Sequence, residues 1–226
     1  MGTPASGRTT GATAPTVPPQ GGTHDHAPRG SRLPRSARRK QLLAAAQEVF
    51  VAQGYHAAAM DDIAERAGVS KPVLYQHFPG KLELYQALLD THATALVDSV
   101  RRAMAATTDN AQRVHNAVIA YFDFVDNGEG AFRLVFETDL RNEPAVRDRV
   151  ALASRLCMEA IADTIAADTG LPRPQAELLS VAVTGTSEMA ARWWLESARA
   201  VPKADAVRLV ESLVWRGISN FPLSAR

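Results

Sequence analysis

The sequence predicts an all-α fold. Three observations lead there. From Arg35 onward apolar residues recur at steps of three and four almost without a break. Turn signals punctuate them at Asn127-Gly128, Glu143-Pro144, Gly170-Leu171-Pro172 and Val201-Pro202. No segment shows the period of two that marks a half-buried strand. At 226 residues, 46% hydrophobic and 22% charged, the chain has an ordinary globular composition and enough length for one domain or two small ones.

Residues 1–31 are rich in Gly, Pro, Thr and Ala with almost no large apolar side chain, and they read as a disordered arm. A helix-turn-helix domain is expected over 32–80 and a helical effector-binding and dimerisation domain over 81–226. In the first helix Leu42, Ala46, Val49 and Phe50 share a face, and Gly54 stops it where a left-handed cap is common. A short second helix holds Ile63, Ala64 and Ala67, with Asp61 and Asp62 in the first turn, the sign its dipole favours. Gly68 breaks it. Ser70 can cap a third short helix whose buried face is Leu74 and Phe78. Leu82–Met104 reads as one long helix with an i, i+4 ladder of Leu88, His92, Leu96, Val100 and Met104. Further helices are expected at about 111–126, 131–140, 145–167, 175–197 and 204–219.

The charge is uneven. Residues 1–41 hold seven basic residues against Asp25 alone, a net +6, which leaves the remainder at −5. A basic block beside an acidic body suits a phosphate-binding edge, although a solvated tail has the same composition. Stepping 100° per residue from Leu74 and Phe78 turns Pro72, Val73 and Gln76 outward, with Lys71, Tyr75 and His77 on the flanks. Gln76 can pair bidentately with adenine, and Val73 and Pro72 can meet a thymine methyl. Ser70, Lys71, Tyr75, His77 and Lys81 can donate to phosphates, and the basic residues from Arg29 to Arg39 can add phosphate or minor-groove contacts. On spacing alone, an ordinary helical hairpin with a polar surface remains open.

Other chemistry is not supported. Cys157 is a lone cysteine, and His24-Asp25-His26 lies in the arm, where histidines are usually just solvated. His56, His77, His92 and His115 lack His-Glu-x-x-His spacing, and no serine sits in a nucleophile elbow. Gly128-Glu129-Gly130 follows a helix rather than a strand, which is unlike a phosphate loop. No metal, cofactor or enzymatic activity is therefore expected. No apolar run approaches the ~18 residues of a membrane helix, and the N-terminus lacks a secretory apolar core, so a cytoplasmic protein with no membrane partner is expected.

Ile63-Ala64-Glu65-Arg66-Ala67-Gly68-Val69-Ser70-Lys71, Leu74-Tyr75-Gln76-His77-Phe78 and Lys81-Leu82-Glu83-Leu84, with Ala45-Ala46, Phe50 and Gly54-Tyr55 before them, resemble the signature of TetR-type transcriptional regulators. The resemblance spans about residues 36–90. It implies DNA-facing roles for Ser70, Lys71, Pro72, Val73, Tyr75, Gln76, His77 and Lys81. Where many members carry Ser or Thr as cap of the second helix and phosphate contact, this chain has Ala59. Arg32-Leu33-Pro34-Arg35, Gly54-Tyr55-His56-Ala57-Ala58, Lys71–Phe78, Thr108-Asp109-Asn110 and Phe122-Asp123-Phe124 also resemble a narrower group, the actinobacterial FasR-type regulators of fatty-acid synthesis. That resemblance implies a long-chain acyl-CoA effector and an activating role. A TetR-type repressor of an efflux or catabolic operon, answering another hydrophobic small molecule, is the alternative.

Three apolar ladders suit such an effector: Leu96, Val100 and Met104; then Tyr121, Phe122 and Val125, with Val118; then Cys157 and Ile161, with Ile165. The same ladders also describe plain core. A homodimer reading a palindromic double-stranded DNA operator is expected through the last two long helices. Small Ala182, Gly185, Ser187, Ala190 and Ala191 permit close approach, and Leu178, Val181, Val207, Val210, Leu213, Val214 and Trp215 supply apolar area.

Overall fold

The computed structural model describes residue 2 and residues 33–217 apart from 127–129, 131–132, 135–139 and 141. The expected arm therefore lies outside the described residues except for Gly2, and so does most of the helix expected at 131–140. Pro34–Arg226 form one compact unit. Every regular element among the described residues is helical: α1 Arg35–Ala57, α2 Met60–Arg66, α3 Lys71–His77, α4 Lys81–Ala105, α5 Asn110–Asp126, α6 Pro144–Thr169, α7 Arg173–Glu196 and α8 Lys203–Arg216.

The first three helices make a small head around Leu42, Phe50, Ile63, Leu74 and Phe78, each 3% exposed or less. Gly54 leaves the helical conformation at φ 77°, ψ 166°. That is the mirror image of extended backbone rather than a left-handed cap, and glycine alone adopts it cheaply. The turn between α2 and α3 closes through Val69 N–H to the Ala64 carbonyl at 3.0 Å, with Gly68 at φ 63°. From α1, the Gln41 amide donates to the Ala67 carbonyl at 2.7 Å and holds that turn in place. Ser70 is the N-cap of α3 as expected, but its side chain makes no capping bond. At α2 the Ala59 N–H donates to the Asp62 carboxylate at 3.4 Å, the reciprocal half of a capping box, while the hydroxyl acceptor of a Ser or Thr cap is missing.

The body is a bundle in which α4 packs on α5 and α6, α7 on α5 and α6, and α8 on α5 and α7. Leu88, Leu96, Val100, Val118 and Phe122 are all within 2% of complete burial. The α7–α8 hairpin turns through Ala198 and Arg199, both at positive φ. Trp194 Nε1 donates to the Val201 carbonyl at 2.7 Å, and Arg199 and Lys203 both reach Asp126 at 3.0 Å. These cations hold the Asp126 carboxyl below its ordinary pKa.

Head and body meet where α1 ends and α4 begins. Phe50, Tyr55 and Tyr85 form a three-ring cluster with centroids 5.1–5.9 Å apart. Lys81 Nζ lies 4.6 Å from the centre of the Tyr55 ring. Further along α4, His92 Nε2 is 2.7 Å from Gln47 Oε1 of α1. Past α5, Leu134 is buried and its carbonyl accepts the Tyr85 hydroxyl at 3.0 Å. A side chain on Gly130 would collide with Val51 of α1.

Candidate nucleic-acid interface and effector cavity

Helix α3 presents Pro72 and Gln76 outward as the helical wheel predicts, whereas Val73, expected on the same face, is half-buried. Leu74 and Phe78 are buried, Ser70, Lys71, Pro72, Tyr75 and Gln76 are exposed, and Val73 and His77 are half-buried. Lys71 is tied to Asp61 of α2 at 2.5 Å, and this hydrogen bond keeps its ammonium above the ordinary pKa. An exposed pair of this kind contributes little to stability, so Lys71 can exchange Asp61 for a phosphate at small cost. The start of α1 brings further cations alongside. Burial first, then Arg35, Arg39 and Arg38, hold His77 below its ordinary pKa, which leaves a neutral imidazole at pH 7. The Arg39 guanidinium lies 4.4 Å from the centre of the Phe78 ring at the end of α3.

Lys81 is differently placed. Its ammonium donates to the carbonyls of Tyr55, His56 and Ala58 at 2.9, 3.2 and 2.8 Å, which uses all three of its protons. These are carbonyls at the end of α1, where a helix leaves acceptors unsatisfied and a cation is favoured. The expected phosphate contact would require Lys81 to give up these acceptors. Nothing in the sequence pattern signals this role, because the partners lie 23 to 26 residues away.

A cavity of about 350 Å³ opens at the end of the body where α4, α6 and α8 finish and α5 and α7 start. Of the ladder residues, Met104, Ile161 and Ile165 line it. Leu96, Val100, Tyr121, Phe122, Val125 and Cys157 are instead in the closed core, each 6% exposed or less. There the helices run close enough for the ladders to interdigitate, whereas at their ends they splay. The polar part of its lining is Asn110, Arg113, Thr164, Asp168 and Thr169, with Arg113 ion-paired to Asp168. Arg113 also donates to the Met104 and Thr107 carbonyls at 3.1 and 2.7 Å and to Asn110 at 3.0 Å, stapling the end of α4 to the start of α5. On the other side of Met104 a second, more polar opening lies between α4 and α6, with Arg101, Glu159 and Asp163 on its walls. Met104 and Thr164 border both spaces.

Cys157 is buried, and burial pushes its thiol up to about 11, so it carries no thiolate at neutral pH. Among the described residues no group of three or more His, Cys, Asp and Glu is placed to hold a metal ion, and no helix is long and apolar enough to cross a membrane.

The outer face of α7 and α8 carries Leu178, Met189, Trp193, Leu209 and Leu213, between 39 and 70% exposed. Of the residues expected there, Val181, Trp215 and Ala182 are also exposed, but Ser187, Ala191 and Val207 face the protomer's own core. Met189, Trp193 and Leu209 escaped the sequence reading. The register that reveals Met189 and Trp193 runs 178, 182, 185, 189 and 193, and it places Trp193 outside and Trp194 inside.

Residues 42–88 match the family model for bacterial regulatory proteins of the tetR family, and residues 110–217 match that for the tetracyclin repressor-like C-terminal domain. The chain is 50% identical over 196 residues to the HTH-type transcriptional activator FasR of Mycolicibacterium smegmatis, covering 87% of this chain and 90% of that one. Similar solved structures include a TetR-like transcriptional regulator from Rhodococcus sp. RHA1, with TM-score 0.67, 27% identity and coverage of 84% and 100%. Another is the transcriptional regulator FadR from Bacillus subtilis in complex with stearoyl-CoA, with TM-score 0.66, 18% identity and coverage of 79% and 98%, a likeness of fold.

The engagement of Lys81 gives a direct expectation. Lys81→Ala lowers the unfolding free energy of the DNA-free protein by about 2 kcal/mol, since it strips a charged donor from three carbonyls. Urea denaturation checks this, and a residue reserved for phosphate leaves the midpoint unchanged.

Proposed function

The chain belongs to the TetR family of bacterial regulatory proteins, and on that premise we propose that it controls genes of fatty-acid synthesis in answer to a long-chain acyl-CoA bound in its helical body. The observation that carries this reading is the half identity with the activator FasR along 87% of the chain, body as well as head. The acyl-CoA in the B. subtilis neighbour agrees with it at the level of fold. The protein acts by binding rather than by turnover, in the cytoplasm, where its DNA is.

On DNA, α3 enters the major groove with Gln76 toward base edges. Pro72 and Val73 give apolar contact, and Ser70, Lys71, Tyr75, His77 and the arginines at the start of α1 meet phosphates. Two copies joined across α7 and α8 present two such helices to a palindromic operator whose half-sites are about 34–36 Å apart. The exposed stripe from Leu178 to Trp193, with Leu209 and Leu213, supports this interface, because an apolar face of that extent marks an interaction site. The acyl chain shifts the balance between two spacings of the reading helices, with α4 as the connecting rod. A smaller hydrophobic effector, and with it control of an efflux or catabolic operon, is favoured by one observation. About 350 Å³ sits at the low end of the ~300–1,000 Å³ typical of ligand pockets.

Trp193→Glu places a charge on the exposed apolar face of α7 and α8 and shifts the mass in light scattering from the dimer toward 24.3 kDa. Gln76→Ala costs about 1–3 kcal/mol of discrimination at one base pair in a competition shift assay on promoter DNA of fatty-acid synthase genes, whereas Tyr75→Phe weakens all sequences alike. Met104→Phe fills the cavity. It leaves the dimer and its operator binding intact and abolishes the response to hexadecanoyl-CoA. In the wild type that response steepens with chain length at about 0.8 kcal/mol per buried methylene, and a response indifferent to chain length favours the smaller effector.

A further inference from the structure

One helical turn inward from the cavity, the apolar body contains a polar layer. Ala117 and Ile161 line the cavity, and four residues further in on α5 and α6 stand Tyr121 and Cys157. Val183 also lines it, and the next residue of α7 is Thr184. Tyr121 and Thr184 are 2% and 4% exposed, and neither the Tyr121 hydroxyl nor Thr184 Oγ1 has a hydrogen-bond partner among the described residues. Glu188, one turn further along α7, is half-buried.

The isolation of Thr184 is specific. On the same helix Ser180 donates to the Glu177 carbonyl and Ser187 to the Val183 carbonyl, both at 2.8 Å. A buried helical hydroxyl ordinarily finds a carbonyl of its own helix in this way. Thr184 forgoes it, and the Tyr121 hydroxyl, which lies near Thr184 and the Cys157 thiol, makes a well-formed hydrogen bond to neither. Two buried hydroxyls without a well-formed hydrogen bond cost stability, and an acceptor that takes a proton from both recovers it. Burial drives the Tyr121 phenol well above its ordinary pKa, so it stays protonated and donates. Two neighbouring O–H donors suit one oxygen with two lone pairs, as a carbonyl supplies.

We propose that the Tyr121 and Thr184 hydroxyls receive the carbonyl oxygen of an acyl thioester whose polar arm lies in the cavity. The body then reads the acyl linkage itself as well as the length of the chain. This rests on the acyl-CoA reading above. It requires the closed core around Val100, Phe122 and Val125 to part for the chain, and it gives Tyr121 the role of a specificity determinant rather than a core filler.

The test compares hexadecanoyl-CoA with S-hexadecyl-CoA, in which a methylene replaces the carbonyl, by calorimetric titration of the full chain. The wild type binds the thioester roughly tenfold or more tightly than the thioether, because a site built around a hydrogen bond rejects the analogue lacking it. The Tyr121→Phe, Thr184→Val double variant binds the two equally, with its thioether affinity kept. Equal affinities in the wild type overturn the proposal, since a pair bridged only by a water is indifferent to the carbonyl. An equal loss of both ligands in the double variant also overturns it, as that is a packing effect. Failure of the wild type to bind either compound removes the acyl-CoA reading and this role with it. Should the double variant not fold, the two ligands on the wild type decide alone.

Discussion

A single ammonium group holds together the place where the DNA-reading head and the helical body share a boundary. Lys81 is the first residue of α4, yet it closes the end of α1 by donating to three of its last carbonyls while lying over Tyr55. The Phe50, Tyr55 and Tyr85 rings pack around the same point from both helices. Because α2 and α3 hang from α1 through Ile63, Leu74 and the Gln41 bond to Ala67, the direction of α3 is fixed relative to α4 through this junction. The backbone permits it only because Gly54 takes a conformation denied to other residues, turning the chain so that the Tyr55, His56 and Ala58 carbonyls converge.

Helix α4 then carries that fixed direction away from the head. It contains neither Gly nor Pro, and from Lys81 to Met104 it spans roughly 35 Å. Its far end is held by Arg113, which clasps the Met104 and Thr107 carbonyls, the start of α5 and Asp168 of α6 together. Both ends of the rod are thus fastened by a cation that caps helix carbonyls. A change in the cavity that moves Met104 has a stiff element through which to act, with His92 and Gln47 as a further attachment to α1 along the way.

The parts of this arrangement that the sequence shows are those decided locally. The turn at Gly68, the cap position at Ser70 and the burial of Leu74 with Phe78 follow from neighbours within a few residues, and all three are where they were expected. The partners of Lys81 lie more than twenty residues away, so its amphipathic position on α4 gives no hint of its use. The effector ladders are ambiguous for a different reason. An apolar i, i+4 series states that a helix face is covered but not whether atoms or space cover it, and only the splay of the helix ends assigns Met104 and Ile161 to the cavity and Val100 and Phe122 to the core. Ser187 and Val207 likewise sit on stripes whose facing is set by α5, which the pattern of α7 and α8 does not contain.

The three tryptophans of the chain fall into three unlike surroundings. Trp193 projects from the outer face of α7, Trp194 is sealed in the interior with its indole N–H on Val201, and Trp215 stands at the rim of the cavity, about half exposed. Indole emission depends on the polarity around the ring, so the intrinsic fluorescence of this protein is a sum of three distinct signals. On the proposed function the outer ring reports association and the rim ring occupancy, while the sealed ring reports loss of tertiary packing. A chain in which phenylalanine replaces two of the three separates events that a melting curve merges.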